Sequence, residues 1–307
     1  MIELENVTKY YGDLKAVDSL SLQIQAGEIF GFIGPNGAGK TTTIKMLATL
    51  LVPTSGFIRI AGINPEEQPR AIRKMIGYMP DHFGVYPDLS VWEYLDFFGG
   101  AYKIPSYKRA LYIDDVLELT DLTIKKYELV ESLSRGMKQR LCLAKTLLHD
   151  PAILLLDEPA SGLDPRARIE IRELLKELKK MNKTILISSH ILSELSDFCT
   201  SIGIIEKGKL VVSGSIAEIE AKINYTRFYR LTTLDPVEQV EAFLKSIGIE
   251  QTQAFDGYVQ FASNKNEEDI AAVLTVLIAR NLRITSFYPV TTSLEDLFMK
   301  ITKGEVA

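Results

Sequence analysis

Eight consecutive residues, Gly34-Pro35-Asn36-Gly37-Ala38-Gly39-Lys40-Thr41, have the types and order needed to wrap a phosphate. Glycines let successive backbone N–H groups turn inward around an anion, and a helix that starts at the lysine adds partial positive charge. In this pattern Lys40 reaches the β- and γ-phosphates of a nucleoside triphosphate, the Thr41 hydroxyl holds Mg2+, and Thr42 belongs to the same helical turn. With Gly at about 7% of residues, a chance match in a chain of this length is expected on the order of once in a hundred sequences. The apolar run Ile29-Phe30-Gly31-Phe32-Ile33 before the loop, and the spacing of Ile44, Met46, Leu47 and Leu50 after it, supply the strand and helix the pattern requires.

A second stretch, Ile153-Leu154-Leu155-Leu156-Asp157-Glu158-Pro159, is an apolar strand ending on two adjacent carboxylates. Asp157 serves Mg2+ through water, and Glu158, pointing to the other side of the strand, polarises an attacking water. A strand simply capped by acids is the bland alternative, and Lys40 in the same chain weakens it.

The elements around these stretches predict an α/β fold. Residues 2 to 33 alternate in the strand manner, with a turn at Ala26-Gly27-Glu28. From about 82 to 150 the pattern is helical, and Ser90-Val91-Trp92-Glu93 opens a helix with a capping box. Strand and helix then alternate: Ile153 to Leu156, a helix from Pro165 to Met181, Thr184 to Ser188, a helix from Ile191, and Ile202 to Ile205. Short, fully apolar strands in βαβ rhythm predict a parallel sheet covered on both faces. Lys207-Gly208-Lys209 makes a hairpin that ends the sheet, and residues 214 to 224 connect to a smaller region. There, strands near 225–231, 257–262 and 283–289 alternate with helices near 236–247 and 266–280, and Ser293 with Asp296 caps a last helix.

Composition narrows the function classes. The net charge of -5 and a sequence pI near 5.5, with no Lys/Arg-rich block, argue against a nucleic-acid partner. Cys142 and Cys199 lie far apart in apolar-patterned helices and read as buried thiols in a reduced compartment. The start Met1-Ile2-Glu3-Leu4-Glu5 lacks the pattern of a signal peptide, and the apolar runs are strand-sized. A cytosolic protein is expected, with any membrane role acting through a partner.

Taken in order, these motifs resemble the ATP-binding cassette family over residues 1 to about 218. Leu133-Ser134-Arg135-Gly136-Met137, followed by Lys138-Gln139-Arg140, is similar to the family signature, and Ser134 precedes Asp157 by 23 residues, as the family spacing requires. Ser161-Gly162-Leu163-Asp164 resembles the loop that crosses the family's dimer. His190, 32 residues beyond Glu158, matches the switch histidine. Tyr11, in Lys9-Tyr10-Tyr11-Gly12, matches the aromatic that stacks on adenine; the glycine after it favours Tyr11 over Tyr10.

The resemblance implies a P-loop NTPase cassette, a mixed sheet with an antiparallel β subdomain and a helical subdomain (about 82–150), over residues 1–218. A small C-terminal α+β domain spans 219–307. It implies ATP and Mg2+ as cofactors, and hydrolysis by Glu158 with His190 and Lys40. Two copies of the chain would close around the nucleotides, each giving Ser134, Arg135, Gly136 and Asp164 to the other's site. The second implied partner is an integral membrane permease, which would hold the chain at the cytoplasmic face of the membrane. The ending Ser293-Leu294-Glu295-Asp296-Leu297-Phe298 looks like the drug-, antibiotic- and polysaccharide-export branch, so outward transport is expected. The alternative is a soluble family member acting as a regulator or on a macromolecular complex. Those on ribosomes or DNA carry two cassettes or a long insertion, whereas only 94 residues separate Lys40 from Ser134.

The segment from His82 to Tyr102 is rich in aromatics; Phe83 and Tyr86 are expected at the surface as a permease contact, with Trp92 and Phe97 in the core. His82 and His149 have no comparable company and are expected to be incidental. Two positions depart from the family: Arg135 replaces a glycine, and Asp81, after Ile76-Gly77-Tyr78-Met79-Pro80, replaces a glutamine that touches Mg2+ and the attacking water. Asp81 is therefore a candidate metal contact. Asp81→Gln should change the Mg2+ dependence or the turnover of ATP without abolishing ATP binding; indifference of both would make Asp81 a spectator.

Overall fold

The computed structural model describes residues 1–223, 227–249, 251–263 and 267–290. The chain divides into two compact units, residues 1–216 and 217–307.

The first unit starts with two long strands, β1 (Ile2–Tyr11) and β2 (Leu14–Ile24), paired antiparallel around a turn at Gly12. Their alternation buries Ile2, Leu4 and Val7 on one strand and Leu20, Leu22 and Ile24 on the other. β3 (Ile29–Ile33), buried at every position, runs into the glycine-rich loop and then α1 (Lys40–Leu47). β4 (Ser55–Ile60) returns to β1 and completes an antiparallel sheet in the order β2-β1-β4. α2 (Pro69–Met75) begins on a proline, whose missing N–H is not needed in a first turn, and leads into β5 (Ile76–Met79).

Three helices follow: α3 (Val91–Ala101), α4 (Ser106–Leu119) and α5 (Arg135–Leu147). α3 has the capping box read from sequence: the Ser90 N–H donates to Glu93 Oε2 at 2.8 Å, and the Glu93 N–H to Ser90 Oγ at 3.2 Å. The chain then re-enters the sheet as β6 (Ile153–Leu156), α6 (Pro165–Lys180), β7 (Thr184–Ser189), α7 (Ser193–Ser196), β8 (Ser201–Glu206) and β9 (Lys209–Ser215), and leaves through α8 (Ile216–Ile223). The six strands lie in the order β5-β6-β7-β3-β8-β9, parallel except for the final hairpin.

One apolar cluster joins both sheets through α1. Ile44, Met46 and Leu47 pack with Ile2, Leu4, Val17 and Leu22 of the antiparallel sheet and with Phe30, Leu155 and Leu186 of the other. Each such buried side chain contributes about 1.5–3 kcal/mol, so the helix that carries Lys40 is anchored on two sides.

The second unit runs β10 (Arg227–Thr233), α9 (Val237–Ser246), β11 (Thr252–Phe255), β12 (Tyr258–Ser263), α10 (Glu267–Ala279) and β13 (Ile284–Val290). Its antiparallel sheet has the order β11-β12-β10-β13. Tyr229, Leu231, Val259 and Phe261 pack against Val240 and Leu244 of α9 and Ile270, Val273 and Leu277 of α10, giving this unit a core of its own.

Four details differ from the sequence reading. The pattern predicts three strands in the second unit, and β11 makes a fourth. Its signal is the Asp256-Gly257 turn, with Gly257 at φ +77°, where glycine avoids strain. The helix expected from Ile191 is the single turn α7, because the crossover to β8 is short. Phe97 is 53% exposed, not core; the inward positions of α3 are Val91, Tyr94 and Leu95, and residue 97 falls off that stripe. Trp92 and Phe83 are half-buried. The expected helix at Ser293 lies outside the described residues.

Candidate nucleotide site

The glycine-rich loop sits where strand ends meet. The Gly34 N–H donates to the Ser189 carbonyl at the end of β7, at 3.3 Å. A side chain at Gly34 would run into the Ile205 carbonyl, and Gly39, at φ +107°, faces the Ala16 carbonyl 2.6 Å from where a Cβ would stand. Asn36 and Gly37 are exposed at the tip, Pro35 is half-buried, and Ala38 packs inward. Gly39 precedes α1 and no side chain caps it, so the first-turn N–H groups, Thr41 and Thr42 included, face outward without a side-chain acceptor.

Lys40 is only 5% exposed. Its ammonium donates to the carbonyls of Gly34 (2.6 Å) and Pro35 (3.2 Å) and lies 3.3 Å from Glu158 Oε1. Glu158 stands at φ +50°, a strained backbone for a residue with a side chain, of the kind that clusters at functional sites. Its Oε2 meets His190 Nδ1 at 2.8 Å, while Oε1 has the Lys40 ion pair and no hydrogen bond. Lysine, glutamate and histidine thus form one chain of contacts.

Asp157, 1% exposed, accepts a hydrogen bond from Ser188 Oγ at 2.7 Å through Oδ1; its buried Oδ2 has no partner. Burial pushes the Asp157 carboxyl up, the hydroxyls of Ser188 and Thr41 pull it back, and the charges of Asp81 and Glu158 raise it again. The Tyr78 hydroxyl, buried beside this group, is pushed up to about 12 by burial and then by the charges of Asp157 and Asp81. An orphaned carboxylate oxygen, a neighbouring Thr41 hydroxyl and two further carboxylates nearby are what a hard divalent cation prefers, so these residues fit Mg2+.

Asp81 acts on Asp157 by charge, and its Oδ2 meets Nδ1 of the exposed neighbour His82 at 2.8 Å. His149 stacks on Tyr102 at 4.1 Å with Nε2 2.9 Å from the Ile76 carbonyl, a packing role in the helical block. Tyr11 and Tyr10 are 45% and 40% exposed at the end of the β1–β2 hairpin, so exposure does not choose between them. Lys9 lies over the Tyr11 ring at 5.7 Å, and Lys15 over that of Tyr10 at 5.4 Å.

A second group gathers where α5 meets the loop after Glu158. Ser134 caps α5, accepting from the Met137 N–H at 3.3 Å, and Asp164 caps α6, accepting from the Ala167 N–H at 2.9 Å. Arg135 is exposed, and its Nη2 donates to the Ser161 carbonyl at 3.3 Å. Gly136 packs against Ala167.

Two residues of consequence are not evident from sequence. Ser188 bonds both carboxylate positions, donating to Asp157 Oδ1 and accepting the Glu158 N–H at 3.0 Å. Gln139, buried, donates to the Pro159 carbonyl at 2.7 Å. The available signal for Ser188 is its place one strand over from β6, which emerges only with the sheet order. Ser188→Ala leaves a buried carboxylate oxygen and a backbone N–H without partners, which should cost about 1–3 kcal/mol and lower the urea midpoint; an unchanged midpoint would remove Ser188 from this role.

A family model described as ABC transporter matches residues 17–161, and one described as the C-terminal domain of DrrA1-3-like ATP-binding proteins matches residues 214–302. An uncharacterized ABC transporter ATP-binding protein, YhcH of Bacillus subtilis, is 36% identical over 307 residues, covering 98% of this chain and 96% of that protein. The bacitracin transport ATP-binding protein BcrA of Bacillus licheniformis is 36% identical over 306 residues, covering 99% and 98%. The dimeric structure of MJ0796, a bacterial ABC transporter cassette, aligns with a TM-score of 0.64 at 27% identity, over 70% of this chain and 99% of that one. The chain belongs to the ABC transporter family, as an ATP-binding ATPase subunit.

Proposed function

We propose that two copies of this chain close around two ATP molecules, hydrolyse them with Mg2+, and drive an export permease at the cytoplasmic face of the membrane. The observation that carries the catalytic part is the contact chain Lys40–Glu158–His190, next to Asp157 and the phosphate-binding loop. Bound ATP offers phosphate oxygens to the Lys40 ammonium, which then exchanges Glu158 for phosphate. Release of Glu158 Oε1 lets it accept a proton from the attacking water, while His190 keeps the carboxylate oriented through Oε2. Thr41 and Asp157 would hold Mg2+, which supplies charge neutralisation on the β- and γ-phosphates. Tyr11 would stack on the adenine. Ser134, Gly136 and Asp164 of the second copy would complete each site, a reading supported by the dimeric cassette it resembles, whereas the Arg135 guanidinium is engaged with the Ser161 carbonyl of its own chain.

Coupling to a permease is supported by a surface feature of the helical block. Tyr86 and Phe97 are 50% and 53% exposed, with ring centroids 5.5 Å apart, and Phe98 lies behind them at 5.2 Å from Phe97. A pair of half-exposed aromatics backed by a third suits an apolar contact with a cytoplasmic helix of the permease. Among the described residues no helix is long and apolar enough to cross a membrane, so the permease would supply the membrane attachment. The export direction is supported by the branch resemblance and by a relative named as a Nod factor export ATP-binding protein.

Two experiments test these parts separately. Glu158→Gln keeps the shape of the side chain and removes the base; ATP binding should persist while turnover falls by roughly 10²-fold or more, and native turnover would remove Glu158 from catalysis. Tyr86→Asp combined with Phe97→Asp should leave the basal ATPase of the isolated chain intact and abolish co-purification of a membrane subunit; retained assembly would move the docking surface elsewhere.

A further inference from the structure

Arg135 occupies a position next to the signature serine, and its side chain is turned into its own chain. It is the first residue of α5, and Nη2 donates to the Ser161 carbonyl at 3.3 Å. Gly162 stands at φ +66°, and a Cβ there would fall on the Arg135 guanidinium, so the guanidinium fills the space that glycine leaves open. One turn further along α5, the buried Gln139 amide donates to the Pro159 carbonyl at 2.7 Å. Between these residues, Gly136 lies close enough to α6 that a Cβ would stand 3.2 Å from the Ala167 Cβ. The first two turns of α5 therefore grip the segment 159–167 at three points. That segment begins directly after Glu158 and ends in the cap of α6, where Asp164 accepts the Ala167 N–H.

We propose that Arg135 is a positioning residue: through the Ser161 carbonyl and the open face of Gly162 it sets the loop 159–164, and with it the backbone that presents Glu158. A glycine at 135 could make neither contact. Arginine suits the task because its planar fork can donate to a carbonyl while lying flat on a peptide with no side chain; a lysine keeps the charge and a donating nitrogen without the plane. This differs from direct contact with nucleotide, in which the guanidinium would be free to turn toward phosphate. The inference rests on the reading of Glu158 as the catalytic base.

The test is steady-state ATP hydrolysis by the full chain carrying Arg135→Gly, Arg135→Lys, Gly162→Ala, and Arg135→Gly with Gly162→Ala, alongside binding of a fluorescent ATP analogue. Arg135→Gly should lower kcat roughly tenfold with KM and analogue affinity unchanged within about twofold, and Arg135→Lys should recover part of the loss. Gly162→Ala should be damaging alone and cost less when Arg135 is already glycine, because the collision it creates is with the guanidinium. A raised KM with intact kcat would make Arg135 a nucleotide ligand and overturn the proposal. Independent, multiplicative losses would overturn it as well. Glu158→Gln measured beside them separates the two layers: native turnover there sinks the catalytic reading, while the cycle between positions 135 and 162 still reports on the loop contact.

Discussion

Keeping a lysine and two adjacent carboxylates away from water is the constraint around which the first unit is arranged. Lys40 and Asp157 are almost wholly buried, and the Lys40–Glu158 pair is screened from solvent on both sides. Burying charge is costly unless partners compensate it. Compensation here comes from backbone and neighbouring strands: the Gly34 and Pro35 carbonyls for Lys40, His190 for Glu158, Ser188 for Asp157. All of these groups lie at or just beyond the carboxyl ends of β3, β6 and β7, the central adjacent strands of the sheet. Ligands in open α/β sheets bind at this end, where loops leave the strands with backbone groups free to turn outward. One orphaned oxygen on Asp157 is what remains after compensation, and it is the atom best placed for a divalent cation.

The helical block is tied to that site by polar contacts rather than by a shared core alone. On α3, Phe98 packs with Tyr94 and with the exposed pair Tyr86 and Phe97, and Lys145 of α5 lies over the Phe98 ring at 5.2 Å. At the other end of α5, Gln139 and Arg135 hold the loop that follows Glu158. A single rigid helix thus touches the aromatic surface at one end and the catalytic loop at the other. Contiguity of this kind offers one physical route between the aromatic surface and the loop that follows Glu158.

The second unit has its own logic. A βαββαβ order with all pairs antiparallel places α9 and α10 over a sheet face carrying Tyr229, Leu231, Val259 and Phe261, and the stacked rings of Tyr229, Phe261 and Phe287 fill its centre. Among the described residues the Arg283 guanidinium closes on Asp235 at 2.7 Å, a link between the start of α9 and the start of β13.

Several features were legible in the residues alone, because local chemistry decides them. Gly39, at φ +107° directly before α1, needs the backbone freedom of glycine, and the order strand, glycine-rich loop, lysine, helix is a local pattern. The Ser90 capping box, the buried apolar run Ile153–Leu156 and the hairpin at Gly208 are likewise short-range and were readable from types and spacing. What lay beyond the sequence depends on which strands become neighbours. Only the order β6-β7-β3 brings Ser188 between Asp157 and Glu158 and sets His190 against the glutamate. Periodicity could not tell that Phe97 faces outward while Tyr94 is buried, since both satisfy an apolar count and only the packing of α3 selects the inward stripe. The partner of Arg135 was hidden for the same reason: a carbonyl 26 residues away, on a different element, leaves no trace in the local pattern until the helix and the loop are packed together.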